Sequence, residues 1–271
     1  MKRKRKIPLV VLSDVHLGTY GCQAKELLQY LKSIQPKMLV LNGDIIDMWS
    51  FSKSYFPASH MNVLRQIIKM SNQGTRVIYI TGNHDEALRK YSDFILGNFE
   101  LADKLILDLD GKKTWIFHGD VFDSSTKGYA KILAKLGGKG YDLLILINSF
   151  INWVLVLLGK EKRSYSKMIK DSVKKAVSFV SNFETTAAEI AIQKKYSYVV
   201  CGHIHKPQMK EVENEHGKVM YLNSGDWVEN LTALEYKKEK WRIYQYKKSD
   251  YLDHENKEDK IATDIITKIL S

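Results

Sequence analysis

Side chains able to bind metal ions recur in short polar clusters along the chain. Asp14 and His16 lie in SDVHLG, Asp44 in NGDIID, Asn83 and His84 in TGNHDE, His118 in FHGD, and His203 and His205 in CGHIH. Carboxylates, an amide and imidazoles make a donor set of oxygen and nitrogen without thiolate. Such a set suits Mn, Fe, Zn or Co, and without cysteine a structural zinc site is disfavoured. In D-x-H and H-x-H the ligands are two residues apart, so extended backbone would turn both toward one metal ion. Asp44, with two carboxylate oxygens, could bridge two ions. Two divalent cations against two aspartates leave the centre electropositive, which favours phosphate oxygens and lowers the pKa of a metal-bound water. A single strand-end histidine or G-D turn would be an ordinary polar loop. The ordered recurrence of all five clusters is what points to a dinuclear centre.

The clusters need a scaffold, and each follows a short apolar run. Ile7 to Ser13, Met38 to Asn42, Arg76 to Thr81, Thr114 to His118 and Ser197 to Cys201 read as buried strands. Ala24 to Ile34 and His60 to Asn72 carry apolar residues at three and four spacing, so helices alternate with strands and an α/β sheet is predicted. The polar clusters then fall at strand C-termini, where open α/β sheets place ligands. From Val219 onward, VMYLNS, LTALEY and WRIYQY predict an antiparallel ending, and IATDIITKIL a short amphipathic helix.

Between Gly128 and Tyr196 strand signals cease and helical periodicity takes over, which predicts a helical cap inserted at 128–196 of a single domain spanning 1–271. Leu143 to Gly159 is almost wholly apolar, broken only by Asn148, Ser149 and Asn152. It falls short of the roughly 20 apolar residues of a spanning helix. A helix buried in the cap or at a dimer contact, a lipid-facing interfacial helix and a true span all remain open. Further on, Ile169, Val173, Ala176, Val177, Val180, Ala187, Ala188 and Ala191 form one helical stripe, expected to pack on the core.

The ordered motifs over residues 13–205 resemble the signature of calcineurin-like metallophosphoesterases. The resemblance implies a two-sheet β sandwich flanked by helices, with metals at the sheet edges. It implies that Asp14, His16 and His205 hold one ion, that Asn83, His118 and His203 hold the other, and that Asp44 bridges them. It gives His84 the scissile phosphate and leaving group rather than a metal. Asp85 is expected to orient His84 or to cap the helix before EALRKY, and Asp47 and Asp120 to fix imidazole orientation. His60, His216 and His254 fall outside the motifs and are expected at the surface. The long insertion and YLNSGDWVENLTALEY resemble the branch related to UDP-2,3-diacylglucosamine diphosphatase, over most of residues 7–246. That branch implies a lipid-linked nucleotide substrate of lipid A synthesis, cleaved to UMP and the sugar 1-phosphate, and Mn is the first expectation for the metal. Better-known members carry Arg where this chain has His84.

The chain has 271 residues and a net charge of +11, enough length for a real core and enough basic excess for an anionic partner. Positive charge concentrates in Lys2 to Lys6, Lys160 to Lys175 and Lys237 to Lys248. An acidic membrane leaflet or a phosphorylated substrate fits these clusters, as does a merely solvated surface. Nucleic acid is less favoured, because no basic strand studded with aromatics accompanies them. Two cysteines, Cys22 and Cys201, and no signal-peptide pattern lead to an expectation of the reducing cytoplasm, at the inner face of the membrane. A nuclease, nucleotide phosphodiesterase or protein phosphatase, and a metal-bound scaffold without turnover, are the competing functions. Oligomeric state is not readable from the sequence.

Overall fold

The computed structural model describes residues 4–49, 55–125 and 166–251. Strands β1 (Arg5–Leu12), β2 (Ile34–Asn42), β3 (Arg76–Ile80), β4 (Ile95–Leu96), β5 (Phe99–Ala102), β6 (Lys104–Leu109) and β7 (Lys112–Phe117) precede the insertion. Strands β8 (Tyr198–Cys201), β9 (Gln208–Asn214), β10 (Gly217–Asn223), β11 (Thr232–Lys237) and β12 (Lys240–Gln245) follow it. Helices α1 (Ala24–Ser33) and α2 (Ala58–Asn72) connect the first three strands, and α3 (Ser166–Gln193) precedes β8.

One sheet runs β12-β11-β1-β2-β3-β5-β4 and the other β6-β7-β8-β10-β9. The alternation along β1 explains why its sequence is apolar throughout. Leu9 and Val11 share a core with Ile116 of β7, Val200 of β8 and Leu222 of β10, between the sheets. Val10 and Leu12 face the other way and share a core with Leu27 and Leu31 of α1 and Val63 and Ile67 of α2. A strand covered on both faces needs no polar alternation. This is the two-sheet α/β sandwich that the motifs imply.

Strands β1, β2 and β3 are mutually parallel, as are β7, β8 and β10. Their C-terminal ends therefore emerge at the same edge of each sheet, and the five polar clusters emerge with them. The antiparallel ending holds for β11 and β12. It fails for β10, which lies parallel to β8 in the other sheet and takes β9 as its antiparallel partner. β9 reads QMKEVEN, too polar for an apolar-run criterion, and half-exposed as an outermost strand can be.

The chain divides into two compact units, Met1–Gly119 with Ile190–Ser271, and Asp120–Glu189. In the second unit, α3 runs through the predicted helical stripe, with Ala187 and Ala188 buried and Phe122 and Phe183 in edge-to-face contact. The run Leu143 to Gly159, residues 160–165 of the basic stretch Lys160 to Lys175, His254 and the predicted tail helix lie outside the described residues. Among the described residues, no helix is long and apolar enough to cross a membrane.

Candidate metal centre

The strand-end loops are bound to one another before any side chain converges. The amides of Asp14, Val15 and His16 donate to the carbonyls of Gly43 and Asp44 at 2.9–3.1 Å, so the loop after β1 rides on the loop after β2. His118 Nδ1 lies 2.8 Å from the Asn42 carbonyl, and Asn42 Nδ2 donates to the Phe117 carbonyl at 3.0 Å, which joins the two sheets. The Gly202 amide donates to the His118 carbonyl at 2.9 Å.

Asp14, His16, Asp44, His203 and His205 all have φ between 51° and 69°. Left-handed backbone is uncommon outside glycine and costly, and it clusters at functional sites. This corrects one expectation. The D-x-H and H-x-H pairs do not converge through extended backbone, because both members of each pair sit in the left-handed region. Convergence comes from tight loop geometry and from close approach at glycines. A Cβ on Gly202 would lie 2.6 Å from Ser13 Oγ and 2.7 Å from Asp14 Oδ2. One on Gly82 would strike Asp44 Oδ1 and stand 2.7 Å from its backbone nitrogen, and one on Gly43 would strike the His118 ring.

Among the described residues, donor atoms gather in three overlapping sets, each within 4.8 Å: Asp14 with His16 and His205, Asp44 with His118 and His203, and His16 with Asp44 and His84. His16 Nε2 and His205 Nε2 face each other at 3.3 Å, His205 Nε2 stands 3.2 Å from Asp14 Oδ1, and His118 Nε2 stands 3.3 Å from Asp44 Oδ2. Asn83 Oδ1 is buried and accepts no hydrogen bond. An acceptor left so is costly, and a cation would satisfy it, so the residues fit divalent metal.

Both aspartates stay ionised although buried. Burial alone would raise Asp14, but the charge of and hydrogen bonding with His205 hold it at about 2. Asp44 is held far below the ordinary carboxylate range against its burial, chiefly by His118. The remaining carboxylate oxygens hold backbone: Asp14 Oδ2 accepts from the His203 amide at 3.0 Å and Asp44 Oδ1 from the His84 amide at 2.8 Å.

Asp47 is the acid beside His84. Its Oδ2 lies 3.0 Å from His84 Nδ1 and 3.3 Å from His16 Nδ1. Burial opposes protonation of His84, while hydrogen bonding with Asp47 and the charge of Asp44 outweigh it and raise its pKa. The expectation that Asp85 orients His84 needs correction. The Asp85 carboxylate is buried and accepts from the amides of Ile45 and Gly82 and from the Tyr79 hydroxyl, at 2.6–2.9 Å. It ties the loop after β3 to the loop after β2, and it makes no side-chain cap to the turn Glu86–Tyr91. His60 is a second correction. It is buried, and its Nδ1 accepts from the Gly18 amide at 2.9 Å, securing the loop that carries His16. His216 is exposed as expected.

Asp226 was not legible as a site residue. Its Oδ2 stands 3.7 Å from His205 Nδ1, and its Oδ1 accepts from the amides of Val228, Glu229 and Asn230 at 2.6–3.0 Å. The signal lay in NSGDW after β10, one more G-D at a strand end.

The model of the calcineurin-like phosphoesterase family matches residues 7–207. This chain belongs to that family. Like its members it is a metal-dependent phosphohydrolase, and the Asp and His sets above are its candidate metal sites. The chain is 28% identical over 231 residues to the UDP-2,3-diacylglucosamine hydrolase of Neisseria gonorrhoeae, covering 84% of this chain and 92% of the relative. It is 24% identical over 247 residues to the enzyme of that name from Aliivibrio fischeri, covering 90% and 99%. Among solved structures, an archaeal phosphodiesterase aligns with TM-score 0.44 and 14% identity over 88% of this chain and 98% of that one.

Proposed function

We propose that this phosphoesterase hydrolyses the pyrophosphate of a lipid-linked nucleotide, UDP-2,3-diacylglucosamine, releasing UMP and 2,3-diacylglucosamine 1-phosphate. The single observation that carries the dinuclear part is the position of Asp44. It belongs to donor sets on both sides, with His118 and His203 and with His16 and His84, while Asn83 Oδ1 stands buried without a hydrogen bond. Asp14, His16 and His205 would hold one divalent ion and Asn83, His118 and His203 the other, with Asp44 shared between them; manganese suits this mixture of hard oxygen and imidazole donors. When bound, the pair supplies a water of lowered pKa and polarised phosphoryl oxygens.

The chain's own residues do the rest. Asp47 holds His84 Nδ1, which leaves Nε2 to carry a proton toward the leaving phosphate oxygen. His84 stands in this role where better-known relatives have Arg, and either side chain presents a positive donor to phosphate. Asp47 fixes the ring of His16 from behind, as carboxylates do for metal-binding imidazoles, and Asp226 places a negative charge 3.7 Å from His205 Nδ1. Asp85 and His60 lock the loops beneath.

The substrate assignment draws on the relatives' names and coverage, and on a net charge of +11 that suits an anionic membrane surface on the cytoplasmic side. A metal-supplemented panel tests it: UDP-diacylglucosamine, nucleoside diphosphosugars, cyclic nucleotides and single-stranded DNA. Preference for the diacylated substrate by an order of magnitude or more in kcat/KM supports the reading. Equal or better turnover of cyclic nucleotides or DNA contradicts it.

A further inference from the structure

The loops that carry the metal-binding side chains are joined in two different ways. Between the loops after β1 and β2 the joint is main chain. The amides of Asp14, Val15, His16 and Leu17 donate to the carbonyls of Gly43, Asp44 and Ile45 at 2.9–3.1 Å, and the Asp47 amide donates back to the Leu17 carbonyl at 2.9 Å. Asp44 is thereby fixed against Asp14 and His16 by a run of backbone bonds. Between the loops after β2 and β3, the Met48 amide donates to the His84 carbonyl at 3.0 Å. Closer to the ligands, a side chain does the joining. Asp85 Oδ2 accepts from the Ile45 amide at 2.9 Å, and its Oδ1 accepts from the Gly82 amide at 2.6 Å. Ile45 follows Asp44 and Gly82 precedes Asn83, so one carboxylate grips the backbone beside both.

Tyr79 completes this grip. It lies on β3, only 5% exposed, with its ring in the core on the helix side, where phenylalanine would fill the same space. Its hydroxyl donates to Asp85 Oδ2 at 2.6 Å. An O–H bond to a carboxylate at this length is charge-assisted and among the stronger ones. It holds the carboxylate in the orientation in which its two oxygens meet the two amides. Clearance between the loops is small, since a Cβ on Gly82 would stand 2.7 Å from the Asp44 backbone nitrogen. A turn of the Asp85 carboxylate therefore alters the spacing of Asn83 from Asp44, while the main-chain bonds keep Asp44 in place beside Asp14 and His16.

We infer that Tyr79 and Asp85 are positioning residues that set the separation of Asn83 from Asp44, and so govern the affinity of the ion assigned to Asn83, His118 and His203 without governing the ion assigned to Asp14, His16 and His205. The inference rests on the two-ion reading above. Neither residue acts on the substrate itself. Selectivity between the two ions is what separates this role from general support of the fold, because a looser fold weakens both ions alike.

Manganese titration of the metal-free full chain tests it. Bound metal is measured by equilibrium dialysis and followed by electron paramagnetic resonance, in which a close pair of manganese ions is spin-coupled and a single ion is not. The unmodified protein should take up two ions that couple, and Asn83→Ala identifies the binding step that belongs to the Asn83 site. Tyr79→Phe should weaken that same step about 10-fold, the lower end for partners behind metal ligands, and leave the other step unchanged. Asp85→Asn should weaken it further, because an amide nitrogen cannot accept from a backbone N–H. Where Asp85→Asn does not fold, Tyr79→Phe, which loses one oxygen atom and keeps the ring, still decides. Equal weakening of both steps, selective loss of the other step, or unchanged binding in Tyr79→Phe would overturn the inference while the two-ion reading stands. A single uncoupled ion in the unmodified protein would overturn both.

Discussion

Among the buried carboxylates of the described residues, Glu235 and the pair Asp14 and Asp44 are built on opposite principles. Glu235 sits in the middle of β11, a regular strand, with its side chain fully buried. It accepts from Tyr30 Oη at 3.1 Å, Arg5 Nη1 at 3.1 Å, Arg242 Nε at 2.9 Å, and Arg242 Nη2 as well. Its charge is met entirely within the chain, by partners that join β1, β11, β12 and α1. Asp14 and Asp44 lie instead in left-handed loops, facing imidazoles whose nitrogens crowd each other and an amide oxygen that has no donor. A carboxylate satisfied on regular backbone stabilises the fold. Carboxylates held ionised on strained backbone, among donors that cannot satisfy one another, form a site for an external cation.

The sharpest way to break this contrast is Asp44→Asn. Activity should fall below about 1% of the unmodified enzyme, because the metal pair supplies several kcal/mol of transition-state stabilisation. Bound metal should drop in parallel, as read by elemental analysis. Normal turnover in this variant would show that Asp44 is no more functional than Glu235. The mirror experiment is Glu235→Ala, which leaves two arginines without their shared anion. Both are partly exposed and can turn to water, so the cost should lie near the lower end for a broken buried pair, about 3 kcal/mol in denaturant unfolding. The kcat of the folded fraction should be unchanged; a selective loss of activity would contradict the division of roles.

How far the contrast can be read without coordinates depends on which residues are asked. Asp14, His16, Asp44, Asn83, His118, His203 and His205 were visible because each follows an apolar run, and parallel strands deliver such ends to one edge. Asp85 was misjudged because adjacency to His84 suggested contact, whereas a residue's chain neighbour in a tight loop points elsewhere. Asp47, three residues past Asp44, makes the contact instead. His60 reads as a surface histidine within an amphipathic helix, and it is buried by the β1 loop, whose Gly18 amide donates to it, together with the edge-on rings of Tyr55 and Phe56. β9 was missed because its pairing is set by β10 and not by its own apolar content. The Asp226 contact links β10 to the GHIH loop through tertiary structure alone.

A smaller effect sharpens the contrast within the site. His84→Ala should lower kcat about 100-fold, the ordinary scale of general acid catalysis, with metal content retained. Collapse of metal occupancy would instead make His84 a ligand, in keeping with its donor set with His16 and Asp44. Smaller still, Asp47→Asn keeps the shape but weakens the hold on His84 and His16. A loss of about 10- to 100-fold is expected, the range for partners behind metal ligands, read as kcat against several metal concentrations. If Asp47→Asn has no effect at saturating metal, the role assigned to it in holding His84 is wrong.

The most direct measurement is anomalous diffraction from crystals of the protein soaked in manganese. The account predicts two peaks roughly 3.5–4 Å apart, with Asp44 between them, Asp14, His16 and His205 around one, and Asn83, His118 and His203 around the other. A single peak, or metal bound away from Asp44 and Asn83, would contradict it.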